Sequence, residues 1–94
     1  MQWQVDFSQK ARKQVEKLPV NLVDRVSALV NEMSIQGPLV HTWKNFGKLR
    51  GSGERYHCHI KSGQPTYVVC WEVVNKKIRI IEVYYVGTHE KAPY

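Results

Sequence analysis

Arg55-Tyr56-His57-Cys58-His59-Ile60-Lys61 is the stretch that decides the fold of this chain. Polar and apolar residues alternate through it, and a period of two indicates a β-strand with two different faces. The apolar face should point into the core, and it consists of Tyr56, Cys58 and Ile60. The other face carries four basic or titratable side chains, which a strand does not need in order to fold: Arg55, His57, His59 and Lys61. The functional hypothesis starts from this polar face.

Two longer apolar segments follow this strand and predict the rest of a sheet. Residues 66–74 are apolar nearly throughout, which is typical of a central strand, and residues 78–86 form another β-branched strand. Ser62-Gly63 and residues 75–77 supply the turns, so the three strands should form an antiparallel meander. Residues 2–7 also alternate and predict a short first strand, which brings the expected sheet to four strands.

Two amphipathic helices are predicted between the first strand and the meander. Ser8 can cap the first helix, which should run to about Leu18. Pro19 stops that helix, Asn21 can cap the second one, and Gly37-Pro38 ends it. Because the connection is short, the helices should form an antiparallel pair on one face of the sheet. The expected fold class is α+β, with a short N-terminal strand, a helix pair and a twisted antiparallel β-meander.

The segment before the strand at residues 55–61 should be a linker. It covers residues 39–53, with Gly51-Ser52-Gly53 as the turn into the strand. Positive charge is concentrated here. The chain carries a net charge of +6, and residues 43–61 contain a single acid and five cations: Lys44, Lys48, Arg50, Arg55 and Lys61. A basic balance of this kind indicates nucleic acid, an acidic partner, or both.

Length and cysteine content limit the class of protein. A chain of 94 residues is expected to form a single domain over positions 1–94. Cys58 and Cys70 stand apart, so they fit neither a disulfide framework nor a zinc pattern. We expect no signal peptide, because the first residues are polar, and no apolar run approaches transmembrane length. The expected location is the cytoplasm, with reduced thiols and no membrane partner.

The predicted central strands carry apolar residues on both alternating sets. Helices can cover only one face of the sheet, so residues such as Val68 and Cys70 should point to the other face. Part of that face should therefore be an open apolar patch, and such a patch on a small monomer indicates a partner.

Several segments of the sequence together resemble the RelE/ParE superfamily of toxins from type II toxin–antitoxin systems. These segments are spread over nearly the whole chain. The first is the junction between the predicted helices, Lys17-Leu18-Pro19. The others lie in the second half: Leu49-Arg50-Gly51, residues 55–60, Gly63, the predicted strands at 67–74 and 78–86, and residues 87–94. The ending, with histidine and tyrosine, is similar to that of a RelE/YoeB-like branch. The resemblance implies a RelE-like α/β toxin with two helices on one face of a twisted antiparallel sheet.

The resemblance also implies an activity and a set of partners. The RelE branch is similar to a microbial ribonuclease that cuts mRNA in the ribosomal A site without a metal or other cofactor. The ParE branch instead poisons DNA gyrase. Both are held inactive by a cognate antitoxin. The implied partners are therefore an acidic antitoxin on the open sheet face, mRNA and the ribosome, and operator DNA through the antitoxin complex.

The family's functional positions fall on particular residues here. Its strand pattern of an aromatic residue followed by alternating arginines matches Tyr56, His57 and His59, so histidine replaces both arginines. The arginine after the family's last glycine matches His89, and its terminal tyrosine matches Tyr94. Together with Arg55 from the polar face of the strand, the candidate catalytic residues are Arg55, His57, His59, His89 and Tyr94. The family's basic linker residues match Lys48 and Arg50, and the concentration of positive charge adds Lys44 and Lys61 as candidate RNA-binding residues.

These residue types suit RNA cleavage without a metal. A base must take the proton of the ribose 2′-OH, cations must stabilise the charged phosphorane, and an acid must protonate the leaving 5′-oxygen. Histidine has a pKa of about 6.5 and suits the first and third roles, while Tyr94 could stack on a base or donate a proton. The sequence leaves open which histidine is base and which is acid.

Other interpretations of the same residues also remain. The histidines could be solvated polar residues, or His57, His59 and His89 could bind a metal, although no clear carboxylate or cysteine completes that set. The alternative functions are inhibition of DNA gyrase without enzymatic activity, and a degenerate toxin that binds only an antitoxin or operator.

Overall fold

The computed structural model describes residues 2–51 and 53–94. Its elements are, in chain order, β1 (Gln4–Phe7), α1 (Gln9–Glu16), α2 (Val20–Gln36), β2 (Gly47–Lys48), β3 (Arg55–Lys61), β4 (Tyr67–Asn75), β5 (Ile80–Thr88) and a 3₁₀ turn, His89–Lys91. The strands form one sheet in the order β1-β5-β4-β3-β2. The α+β class and the β3-β4-β5 meander predicted from the sequence are confirmed.

The sheet differs from the prediction in strand number and direction. It has five strands, because Gly47–Lys48 in the predicted linker pairs with β3 as a fifth one. It is also mixed, since β1 runs parallel to β5 while the other pairs are antiparallel. A two-residue strand leaves no periodic signal, and its pairing depends on β3 being in place. Ser52, at the centre of the predicted turn, lies outside the described residues.

Two of the three predicted helix-end residues are confirmed, Ser8 at the start of α1 and Gly37 at the end of α2, and the third is not. The Ser8 hydroxyl accepts a hydrogen bond from the Ala11 amide at 3.1 Å, and Gly37 ends α2 with φ +93°. The prediction that Asn21 caps α2 was wrong. The helix begins at Val20, and Pro19 occupies the N-cap position with an extended backbone. Proline is well suited there because its fixed φ precedes the helix without losing a helical N–H. The first helix ends at Glu16, two residues before the expected end.

One face of the sheet packs against both helices and forms the main core. Trp71 at its centre is fully buried, and its indole N–H donates to the Pro38 carbonyl at 3.2 Å. The apolar face of β3 lies in this core, as its alternation predicts. Residues from both helices and four strands complete it, among them Ala11, Leu22, Leu29, Met33, Cys58, Val69, Ile81 and Val83.

The opposite face carries a second, smaller apolar cluster rather than the open patch that the sequence predicts. Val68 and Cys70 do point away from the main core, but both are fully buried. They are covered by Tyr85, which is 4% exposed, and by the partly buried Leu49, Tyr84 and Ala92. This cover depends on the chain tail and on the segment after β2, which hydrophobic periodicity cannot place.

A β-bulge explains how β5 serves both faces. Val83 lies opposite Trp71 and Tyr85 lies opposite Cys70, so β5 has one extra residue, Tyr84, at this point. A bulge shifts the alternation of side chains by one position. Val83 and Val86 therefore belong to the main core, while Tyr84 and Tyr85 both contact the second cluster.

Within the described residues, neither helix combines the length and the apolar character that a bilayer crossing requires. Both cysteine thiols are free and buried, Cys58 in the main core and Cys70 in the second cluster. The sheet separates them, which agrees with the prediction that they would not pair.

Candidate functional site

Four aromatic side chains meet on the sheet face that carries the second cluster. The ring centroids of His57 and Tyr94 are 4.8 Å apart, and those of His59 and His89 are 5.6 Å apart. His57 and His59 are separated by 6.5 Å, and His89 and Tyr94 by 5.9 Å. We call these four residues the ring cluster. The sequence predicts all four as site residues, and the fold brings them within the reach of one nucleotide.

Alternation along β3 supplies half of the ring cluster. His57 pairs with Cys70 and His59 pairs with Val68 across the β3–β4 ladder. Residues opposite each other in a ladder share a face, so both histidines lie on the side of the second cluster. Both are partly buried there.

The segment after β5 supplies the other half. The His89 amide donates to the Thr66 carbonyl at 2.8 Å, which fixes the start of the 3₁₀ turn beside the β3–β4 connection. Ala92 then packs on the second cluster and turns Tyr94 back over β3. The apolar residues beneath the tail are thus the reason that Tyr94 reaches His57.

His57 has a different neighbour at each ring nitrogen. Its Nδ1 lies 3.4 Å from the Tyr94 hydroxyl, a long hydrogen bond whose direction depends on the tautomer. Its Nε2 is directed toward Gly47, where a Cβ would come within 3.4 Å of it. Gly47 of β2 and the imidazole therefore lie in van der Waals range of each other.

Burial and mutual repulsion favour the neutral forms of the two strand histidines. Burial is the largest cause of the lowered pKa of His57, followed by the charges of His59 and His89. The pKa of His59 is lowered by burial, then by His89 and then by Lys44. A histidine with a lowered pKa is neutral at pH 7 and can accept a proton.

Tyr94 keeps its proton under the same conditions. Burial raises the pKa of its phenol, and Cys70, Cys58 and Tyr85 raise it further. A neutral phenol can donate a hydrogen bond to a phosphate oxygen or to His57. The two thiols beneath the site take no part in this exchange, because burial raises the pKa of each to about 12.

Arg55 lies on the same face of β3 but is already engaged. Its Nε is 3.2 Å from the Glu72 carboxylate, and its guanidinium carbon lies 6.0 Å from the centre of the Tyr84 ring. The ion pair is partly exposed, so it can open at modest cost. In the described conformation, however, the carboxylate neutralises much of the charge that was predicted to face a phosphate.

The predicted RNA-binding residues are placed differently from one another. Lys44 and Lys61 adjoin the ring cluster at His59: the Lys44 carbonyl accepts a hydrogen bond from the His59 amide at 2.8 Å, and Lys61 lines one cavity together with His59, although the register of β3 shifts between the two. Lys48 lies opposite Tyr56 in the β2–β3 ladder and therefore on the helix side of the sheet. Arg50 is exposed just after β2.

One cation near the site has no counterpart in the sequence predictions. Arg25 on α2 reaches the edge of β3, where its guanidinium donates to the Ile60 carbonyl at 2.6 Å. It lines a groove of about 590 Å³ together with Lys44, His59 and Lys61. No local pattern could have identified Arg25, because its role depends on how α2 is placed against β3.

A second cavity, of about 480 Å³, lies along the β3–β4 connection. It is lined by residues of that connection and by Thr88, His89 and Glu90. The ring cluster therefore has a cavity next to His59 and another next to His89.

Metal binding, the alternative raised by the three histidines, finds no suitable geometry. In the part of the chain that the structure describes, no three or more histidine, cysteine, aspartate or glutamate side chains are arranged to hold a metal ion.

The fold is that of RelE toxins. No protein-family model matches the chain, and no curated protein does. Among solved structures, the archaeal RelE of a RelE–RelB complex from Pyrococcus horikoshii OT3 matches with a TM-score of 0.78 and 19% identity, over 98% of this chain and 100% of that one. A mutant of Escherichia coli toxin RelE in the free state matches with a TM-score of 0.73 and 23% identity, over 96% and 86% of the two chains.

A toxin–antitoxin complex from Mycobacterium tuberculosis, RelBE2, gives a similar result. Its matching chain has a TM-score of 0.70 and 20% identity, and the match covers 95% of this chain and 100% of that one. At these identities the comparisons establish the fold, which confirms the RelE-like architecture expected from the sequence.

Proposed function

We propose that this protein is the toxin of a type II toxin–antitoxin system and that it cleaves mRNA at the ribosome by attack of a ribose 2′-OH. The observation that supports this function best is the ring cluster, where three imidazoles and a phenol have neighbouring centroids 4.8–6.5 Å apart. The structural neighbours that carry the fold are described as RelE toxins and toxin–antitoxin complexes, which supports the same class.

The proposed reaction needs no metal. One neutral histidine of the pair His57 and His59 takes the proton of the 2′-OH, which attacks the adjacent phosphorus. A second, protonated histidine of the ring cluster donates a proton to the leaving 5′-oxygen as its bond to phosphorus breaks. The products are a 2′,3′-cyclic phosphate and a free 5′-OH. Tyr94 donates a hydrogen bond to the phosphate or stacks on the base.

The proposed cations are those nearest the ring cluster. Lys44 and Lys61 line the same groove as His59, and Arg55 would contribute once it leaves Glu72 for a phosphate. Lys48 and Arg50 would contact RNA farther from the scissile bond. The proposed place of action is the cytoplasm, and the proposed partners are mRNA, the ribosome, an acidic antitoxin and, through the antitoxin, operator DNA.

Substitution of the ring cluster tests the proposed chemistry. We expect His57→Ala, His59→Ala and His89→Ala each to reduce cleavage, with loss of a general acid or base lowering the rate about 10²–10⁴-fold. Cleavage is measured on purified RNA and on ribosome-bound mRNA, with EDTA present. Product ends are identified by mass spectrometry. His41→Ala is the matched control, because His41 lies against Phe46 and outside the ring cluster.

Two results would contradict the proposal. One is full cleavage by all three ring-cluster variants, which would assign the chemistry to other residues. The other is growth arrest with intact transcripts and a DNA-damage response, which would indicate the ParE-type inhibition of gyrase instead. A chain that binds an acidic antitoxin but neither cleaves RNA nor arrests growth would be the degenerate toxin.

A further inference from the structure

The groove beside β3 adjoins the ring cluster at His59 and is lined by positively charged side chains from three parts of the chain. Arg25 comes from α2, Lys44 from the segment before β2, and Lys61 from the end of β3. In the described part of the chain β2 pairs with Tyr56 and His57, and beyond them the His59 amide bonds to the Lys44 carbonyl at 2.8 Å. The groove occupies this place along the sheet edge.

The hydrogen bonds within the groove leave its cations available to a ligand. Arg25 uses one guanidinium nitrogen on the Ile60 carbonyl, and Lys61 uses one donor on the Pro65 carbonyl at 3.0 Å. Each keeps further N–H donors, since a guanidinium has five and an ammonium has three. The carbonyl contacts hold both side chains in place without neutralising their charge.

A single carboxylate, that of Glu32, also lines the groove, and it is occupied. It accepts hydrogen bonds from the Gln36 amide at 2.8 Å and from the Trp43 indole at 3.1 Å. Three cations and one carboxylate give the groove a net charge of about +2. Trp43, which is partly buried against the main core, lies in the same wall.

We infer that this groove binds the phosphate backbone of single-stranded RNA to one side of the bond that the ring cluster would cleave, through Arg25, Lys44 and Lys61. The inference rests on the proposed function, because it takes the substrate of that site to be RNA. His59 belongs to both the groove and the ring cluster, so one strand can pass continuously from one to the other.

The cavity next to His89 differs from the groove in the charge of its lining. Within the described residues its lining contains no lysine or arginine, and it includes Glu90. If both cavities bound phosphates, both should be lined by positively charged side chains. The charge difference therefore assigns the backbone contacts to the groove next to His59.

The length dependence of RNA binding tests this inference. The probes are 2′-O-methyl RNAs of two and six nucleotides, which cannot undergo 2′-OH attack, with affinity measured by fluorescence anisotropy at 50–200 mM salt. We expect the wild-type chain to bind the longer RNA more tightly. Arg25→Gln, Lys44→Gln and Lys61→Gln should each reduce that gain about three- to tenfold, and each should lower the slope of log affinity against log salt by about 0.7.

Matched controls separate the groove from overall charge. Lys10→Gln on α1 and Lys77→Gln in the β4–β5 turn also remove one positive charge each, and both residues are exposed. They should retain the length-dependent gain. Arg25→Lys keeps the charge and should restore most of the salt slope. Thermal melting of every variant identifies any that loses affinity by unfolding.

The outcomes distinguish this inference from the proposed function. If the groove variants bind the longer RNA as tightly as the wild-type chain does, the inference is wrong even where cleavage by the ring cluster persists. If the groove-dependent gain is present but no RNA is cleaved, the inference stands and the proposed function fails. Groove-dependent binding of a poly-glutamate peptide, without any RNA length dependence, would overturn the inference in favour of an acidic protein partner.

Discussion

Arg55 and Glu72 face each other across the β3–β4 ladder, and their contact determines how much charge the site can offer. Their side chains are 48% and 31% exposed, so water screens the pair. A pair of this kind contributes about 0–1 kcal/mol to folding. Its larger effect is on binding, because a phosphate must compete with the carboxylate for the guanidinium.

Glu72→Gln should therefore strengthen RNA binding with little change in stability. Removing the carboxylate frees Arg55 for one phosphate, which should steepen the salt slope by about 0.7. The change in the free energy of unfolding should stay within about 1 kcal/mol. Affinity is measured on uncleavable RNA, and stability by urea titration.

Glu16→Gln is the charge-matched control, because Glu16 is exposed at the end of α1, a helix that packs against β5 and β1 rather than on the β3–β4 ladder. An equal gain in affinity from both variants would mean that net charge, and not the release of Arg55, is responsible.

The C-terminal end of helix α2 is in contact with Trp3, a residue far from it in the sequence. Gly37 ends the helix with φ +93° and ψ −165°, a region of backbone space that is essentially restricted to glycine. A Cβ at this position would lie 2.9 Å from the Trp3 indole nitrogen. The Trp3 amide in turn donates to the Ser34 carbonyl at 2.8 Å, which joins the start of the chain to the last turn of α2.

Gly37→Ala should destabilise the fold more than a change at another glycine with positive φ. Backbone strain should cost about 1–3 kcal/mol, and the displacement of Trp3 should add about 1 kcal/mol or more. Gly63→Ala is the matched control, since Gly63 has φ +108° and no atom within 4 Å of its would-be Cβ. Urea unfolding measures both. Equal losses would show that the Trp3 contact has no energetic role.

The whole molecule should respond to acid through the strand histidines. A histidine whose pKa is lower in the folded chain than in the unfolded chain makes the unfolded chain bind more protons as pH falls. The contribution to stability is thus complete above the unfolded pKa of about 6.5, and it declines as pH falls below that value. His57 and His59 both have lowered pKa values, and the net charge of +6 adds repulsion in acid.

The free energy of unfolding should therefore decrease between pH 7.5 and pH 5, and His57→Gln should reduce that decrease. The amide removes the proton uptake while retaining a polar side chain. Urea titration at several pH values measures the effect, with His41→Gln as the control outside the ring cluster. An unchanged pH dependence in the His57 variant would show that its protonation is not linked to folding.

Much of this fold is encoded locally and could be predicted. The alternation of β3 predicts which of its residues are buried, and Ser8 predicts a cap that forms. The convergence of His89 and Tyr94 with the strand histidines followed from a resemblance to a known fold, since nothing local places the tail over β3.

The features that could not be predicted arise from contacts distant in sequence. β2 is a strand only because β3 pairs with it, and Arg25 joins the groove only because α2 crosses the end of β3. The bulge at Tyr84 shifts the alternation of β5, so an unbroken period of two assigns part of that strand to the wrong face. The cover over Val68 and Cys70 likewise depends on tertiary packing.

The division of β3 into two faces has a consequence for how such a protein could change over evolutionary time. Every second residue of this strand is buried in the core, and the residues between them are not needed for its packing. Positions 57 and 59 can thus exchange one reactive group for another while Tyr56, Cys58 and Ile60 continue to hold the scaffold together. Substitutions on the face of such a strand that is not buried can change the chemistry of the site while the fold stays the same.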